Sequence, residues 1–121
     1  MAQATTTIWH NPRCSKSRQT LKLLEDAGAE PVVRRYLDDP PTVAELDAAL
    51  TALGLEPWDL ARMGEPRAKE LGLAGLEHDR ATWIELMVAE PILIERPVVI
   101  AADGRAVLGR PPENVDELIG G

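Results

Sequence analysis

The chain contains no phenylalanine, one tyrosine and three tryptophans, so its core must be built from Leu, Ile, Val, Ala and Met. It has one cysteine, and a lone thiol cannot close an internal disulfide. One Cys and two His also do not supply a spaced metal-ligand set, and no metal is expected. No apolar run approaches the roughly 20 residues that cross a bilayer. Met1 to Thr7 lacks the basic-then-apolar order of a signal peptide, so the expected compartment is the cytoplasm, with no membrane partner. Basic residues are in deficit: 13 Lys and Arg against 20 Asp and Glu leave a net charge of -7. That balance argues against nucleic acid as a partner.

What is present fits one soluble domain of 121 residues, 45% hydrophobic and 27% charged. Thr5-Thr6-Thr7-Ile8-Trp9 reads as a first strand, and His10-Asn11-Pro12-Arg13 as a turn. Ser15 to Ala27 reads as a helix with Leu21, Leu24 and Ala27 inward, stopped by Gly28. Pro31 to Tyr36 reads as a second strand. Thr42 and Glu45 form a capping box, followed by a stripe of Val43, Leu46, Leu50 and Leu53 that ends at Gly54. Short helices are expected at Pro57 to Arg62 and Glu65 to Leu71, and a longer one from an Asp79 cap to Ala89. Arg96 to Ile100 reads as a strand, Asp103-Gly104 as a two-residue hairpin turn, and Ala106 to Leu108 as its return strand. A last helix runs from Pro111 or Pro112 through Ile119.

The order β-α-β, helices, β-β-α predicts an α/β fold: a thioredoxin-like mixed four-stranded sheet. Residues 1–121 form one such domain, with a helical insertion at approximately 42–90.

Cys14 follows the strand and turn and opens the helix. Free N–H groups and the positive helix end favour a thiolate there, and also a bound anion. Arg13, Lys16 and Arg18 add positive charge. A free thiol of pKa ~8.5 is about 3% ionised at pH 7. Lowering that pKa by two units takes roughly 2.7 kcal/mol. A helix end supplies ~0.3–2 kcal/mol, and one close cation can supply the rest. The polar neighbours Arg13, Ser15, Lys16 and Ser17 count against a simple core cysteine.

Cys14-Ser15-Lys16-Ser17 is C-x-x-S, not a dithiol, so an oxidised Cys14 must be cleared by an outside thiol. Arg18 is too close to Cys14 for the C-x5-R loop of a cysteine phosphatase.

His10 to Arg18, read His-Asn-Pro-Arg-Cys-Ser-Lys-Ser-Arg, resembles the active-site segment of the glutaredoxin-linked arsenate reductase family. The likeness continues through Tyr36-Leu37, Pro40-Pro41-Thr42, Glu70-Leu71-Gly72-Leu73, Pro91 to Pro97 and Gly109-Arg110-Pro111, covering roughly Thr7 to Ile119. The best-characterised members carry Cys-Gly-Thr-Ser-Arg where this chain has Cys14-Ser15-Lys16-Ser17-Arg18, which is similar to a sister branch.

The resemblance implies Cys14 as nucleophile and His10 as a helper that holds the thiolate. It implies Arg62, Arg96 and Arg110 as the arginines that hold arsenate or another small oxyanion. Asn11, Ser17, Arg18 and Pro97 are implied as supporting residues, with Pro97 in a cis peptide. Arg forks suit oxyanion oxygens and can offset the repulsion between thiolate and arsenate. The implied chemistry uses no bound cofactor. It takes an external thiol, glutathione or mycothiol, and a glutaredoxin-type partner, with the enzyme acting as a monomer.

Two rival readings stay open. One is a monothiol glutaredoxin-like reductase of mixed disulfides, which C-x-x-S suits but which leaves the arginines spare. The other is a regulator that shares the fold and binds RNA polymerase. Such regulators typically switch through C-x-x-C, and Ser17 replaces the second Cys here.

Overall fold

A computed structural model describes residues 6–119, with the side chain of Ile119 excluded. Thr5, expected to start the first strand, lies outside the described residues. The described residues divide into two compact units: those up to Asp39 together with those from Arg96 onward, and Pro40–Glu95.

The first unit holds the sheet. Its strands are β1 (Thr7–Trp9), β2 (Val32–Arg34), β3 (Val98–Ile100) and β4 (Ala106–Leu108), in the spatial order β2-β1-β3-β4. β1 runs parallel to β2 and antiparallel to β3, and β4 returns antiparallel beside β3. The parallel pair needs a crossover, and helix α1 (Ser15–Asp26) provides it. This is the thioredoxin-like arrangement that the order of elements predicts. The strands are shorter than the β-rich runs suggest. β2 keeps only the three residues that find partners on β1, in the register Thr7 with Val32 through Trp9 with Arg34.

Ile8, Val99 and Val107 pack with Leu24 of α1 and with Val115 in one buried cluster. Fully burying each such side chain stabilises the fold by roughly 1.5–3 kcal/mol. Val115 belongs to a 3-10 turn at Pro112–Val115 that leads into α2 (Asp116–Ile119). The hairpin turn differs from the two-residue expectation. Gly104 N–H donates to the Ala101 carbonyl and Ala101 N–H to the Arg105 carbonyl, so the loop is Ala102-Asp103-Gly104. Gly104 takes φ +93 at the last loop position, which glycine adopts without steric cost.

The second unit is helical, with helices at Val43–Leu53, Pro57–Leu60, Pro66–Glu70 and Arg80–Ala89. The capping box forms as expected: Thr42 Oγ1 accepts the Glu45 N–H, and a Glu45 carboxylate oxygen accepts the Thr42 N–H. Leu46, Ala49 and Leu50 are buried, whereas Val43 at the exposed first turn falls outside the stripe. Asp79 caps the Arg80–Ala89 helix, whose buried side chains are Trp83, Ile84 and Met87. Among the described residues, no helix is long and apolar enough to cross a membrane.

Candidate active site

Cys14 stands at the N-cap of α1 with extended backbone, φ -95 and ψ 122. Asn11 shapes the approach to it. Its Oδ1 accepts the Arg13 N–H at 2.9 Å and its carbonyl accepts the Cys14 N–H at 3.0 Å. Such Asx geometry is why an Asn-Pro turn can set down a residue accurately at a helix start. Arg18, one turn into the helix, donates from Nη1 to the Pro12 carbonyl at 2.9 Å and ties the same loop from the other side.

The thiol is 8% exposed, yet its surroundings are charged rather than aliphatic. Arg110 Nη1 lies 3.8 Å from Cys14 Sγ. Burial pushes the thiol pKa up. Against that act the Ser17 amide, the Arg96 charge, the Lys16 amide and a hydrogen bond from Arg96, and together they hold it below its ordinary value. The helix start and two guanidinium groups thus converge on one sulfur, the arrangement that favours an anionic nucleophile.

Arg96 and Arg110 are brought together by the sheet. Arg96 precedes β3 and Arg110 follows β4, so the β3–β4 hairpin places both at the same end. Arg110 Nη1 also donates to the Arg96 carbonyl at 3.3 Å. Each arginine precedes a cis peptide, Arg96-Pro97 and Arg110-Pro111. Gly109 donates its N–H to the Pro97 carbonyl at 2.9 Å.

His10 is buried at 6% exposure and plays a different part from a cationic partner of the thiolate. Its Nδ1 lies 2.6 Å from the Ser17 hydroxyl. Burial holds its pKa down first, and the charges of Arg35 and Arg18 add to this, with Glu25 working the other way. The imidazole is therefore neutral at pH 7. Ser17 Oγ also accepts the Asn11 N–H at 3.1 Å. Ser17 thus joins the loop, the histidine and the first helical turn.

Arg62 sits in the helical unit. Its guanidinium pairs with Glu65 at 3.0 Å and Glu95 at 3.9 Å, and donates to the Ile92 carbonyl at 3.3 Å. Among the described residues, no three His, Cys, Asp or Glu side chains group as metal ligands.

Two residues that pattern reading passes over matter here. Thr20 is buried on α1, donating to the Lys16 carbonyl at 2.7 Å and lying 3.3 Å from the Gly109 carbonyl. Gly109 meets it so closely that a Cβ would lie 2.6 Å from Thr20 Oγ1 and 2.8 Å from Pro97 Cγ. The only sequence signal is a glycine directly before an Arg-Pro pair. Gly109→Ala is expected to lower the free energy of unfolding by about 1–3 kcal/mol, read by urea denaturation, because the helix must be pushed off the sheet end. Unchanged stability would show that the contact yields freely.

Residues 9–118 match the model of the ArsC family. A protein named arsenate reductase from Neisseria meningitidis is 42% identical over 113 residues, covering 93% of this chain and 96% of that protein. The YfgD protein of Escherichia coli, named only as uncharacterized, is 47% identical over 93% of this chain and 95% of its own length. The solved structure of an arsenate reductase from Vibrio cholerae superposes with a TM-score of 0.90 at 43% identity, covering 96% of this chain and 98% of that one. The family match takes in the thiol loop and both Arg-Pro pairs, and this chain belongs to the ArsC family.

Proposed function

We propose that this chain reduces arsenate to arsenite, with Cys14 as nucleophile and Arg96 and Arg110 as the oxyanion clamp. The observation that carries this reading is the 3.8 Å approach of Arg110 Nη1 to Cys14 Sγ, with Arg96 acting on the same sulfur. A mixed-disulfide reductase needs a thiolate alone. Two guanidinium forks beside it suit a substrate that is itself a multiply charged oxyanion. They also resolve the acidic balance of the chain, because a net charge of -7 sets the distant field while the clamp sets the local one.

The Cys14 thiolate attacks arsenic, an S–As bond forms, and one arsenic oxygen leaves as hydroxide or, once protonated, as water. A second thiolate, from a small external thiol, then attacks the Cys14 sulfur. The S–As electron pair passes to arsenic, which falls from As(V) to As(III) and leaves as arsenite. The two sulfurs are oxidised together to a mixed disulfide. The protein has no second cysteine to resolve it, so a glutaredoxin-type partner restores the thiol. A lone catalytic thiol of this kind works in a reducing compartment such as the cytoplasm. For Arg62 the family resemblance implies an oxyanion-holding role, while its guanidinium pairs with Glu65 and Glu95 within the helical unit.

The test is a coupled assay with arsenate, glutathione and glutaredoxin. Arsenite formation that saturates with arsenate is the expected result. Reduction of a glutathione mixed disulfide without arsenite formation would replace this reading with the monothiol reductase. Capture of RNA polymerase with neither activity would replace it with the regulator.

A further inference from the structure

Arg110 reaches Cys14 from an exposed position two residues past the end of β4, with its guanidinium 3.8 Å from the sulfur. A long side chain with several torsions keeps such a place only if its own backbone is held. Asn114 holds it. The Asn114 backbone N–H closes the 3-10 turn on the Pro111 carbonyl at 3.0 Å, which leaves the side chain free for another task. That side chain reaches back along the chain. Its Nδ2 donates to the Leu108 carbonyl at 2.9 Å and to the Arg110 carbonyl at 3.2 Å. A primary amide nitrogen carries two hydrogens, and here each meets one carbonyl. The carbonyl between them, on Gly109, lies 3.3 Å from Thr20 Oγ1.

Asn114 is anchored at its other end too. Its neighbour Val115 is fully buried in one cluster with Leu24 of α1, and α1 carries Cys14 at its N-cap. One side-chain amide therefore ties the backbone around Arg110 to the body of the helix that presents the sulfur. Building on the reductase reading, we propose that Asn114 is a positioning residue, which fixes the Leu108–Arg110 backbone so that the Arg110 guanidinium stays on the Cys14 sulfur and on the oxyanion bound there. Asn114 acts through Arg110 and not by contact with the sulfur.

The test is a double-mutant cycle on the full chain, because two residues that act as one unit are not additive. Asn114→Leu keeps the size and removes both donors. Asn114→Ala only removes atoms, and serves where leucine is not accommodated. Each is expected to raise the pH midpoint of Cys14 alkylation by iodoacetamide by about half a unit, since a close cation favours the thiolate. Each should also lower kcat/KM for arsenate about tenfold, because the clamp is no longer held in register. In an Arg110→Ala background the same substitutions should move the midpoint by less than about 0.1 unit and kcat/KM by less than about twofold. Thermal melts should fall equally in the two backgrounds. A midpoint that does not move, or one that moves as far without Arg110 as with it, would overturn the assignment. Alkylation needs no arsenate, so the two readings fail separately. Coupling in the alkylation cycle without arsenite formation keeps Asn114 as the positioning residue and loses the arsenate reading. Arsenite formation with additive midpoints does the reverse.

Discussion

Cys14→Ser is expected to abolish arsenite formation while leaving the fold as stable as before, or slightly more so. The two halves have separate causes. A serine hydroxyl titrates far above the thiol range, and the same helix end and guanidinium groups cannot ionise it near neutral pH. Even an arsenate ester on the substituted hydroxyl would be a dead end, because the second step needs a sulfur that can take part in a disulfide. The loss should therefore exceed about a thousandfold, or roughly 4 kcal/mol in activation free energy. Stability moves the other way because Cys14 is the N-cap of α1. Serine is among the preferred N-cap residues, and its oxygen can accept an N–H of the first turn better than sulfur does. The activity assay and a thermal melt on the same preparation check both. A variant that still forms arsenite would show that another group attacks arsenic. One that is inactive but also strongly destabilised would assign Cys14 to packing.

The setting of this thiol is only partly legible in the sequence. The β1–turn–α1 start can be read because β-branched threonines and Ile8 run into an Asn-Pro turn and then into a helix-forming pattern. Cys14 stands out because the polar residues around it leave no core for it to join. The two Arg-Pro pairs are visible as motifs, but only the β3–β4 pairing brings them to one sulfur. The inner face of α1 departs from the apolar periodicity. Ala27 is exposed, and the buried positions are Ser17, Thr20 and Leu24. A search for apolar spacing cannot find Ser17 and Thr20, since each is buried through hydrogen bonds to residues outside the helix or one turn back. His10 is legible as a residue of the site but not in its charge state. That state depends on burial and on Arg35, which the chain supplies from beyond β2. Val32 and Val33, despite their apolar side chains, lie on an edge strand and are about half exposed.

Arg96→Ala is expected to lower kcat/KM for arsenate by about 10²–10³, the range found when one donor to a developing oxyanion is removed. Two effects add. The oxyanion loses a planar fork, and the Cys14 thiol loses both the charge and the hydrogen bond that Arg96 supplies. The second effect has its own signature. Arg96 lowers the thiol pKa, so its removal must raise it, and the pH midpoint of alkylation by iodoacetamide should move upward. At pH 7 the variant then suffers from a smaller thiolate fraction as well as a poorer clamp. Raising the pH restores the thiolate but not the fork, so the deficit should narrow with pH and level off short of the parent rate. Arg96→Lys separates the two further. It keeps a positive charge near the sulfur but cannot present parallel donors, so its alkylation midpoint should stay near the parent value while arsenate turnover remains depressed. A deficit that does not change with pH would mean that Arg96 serves the oxyanion alone. A kcat/KM within threefold of the parent would remove Arg96 from the clamp and leave Arg110 as the cation beside Cys14 that organises the site.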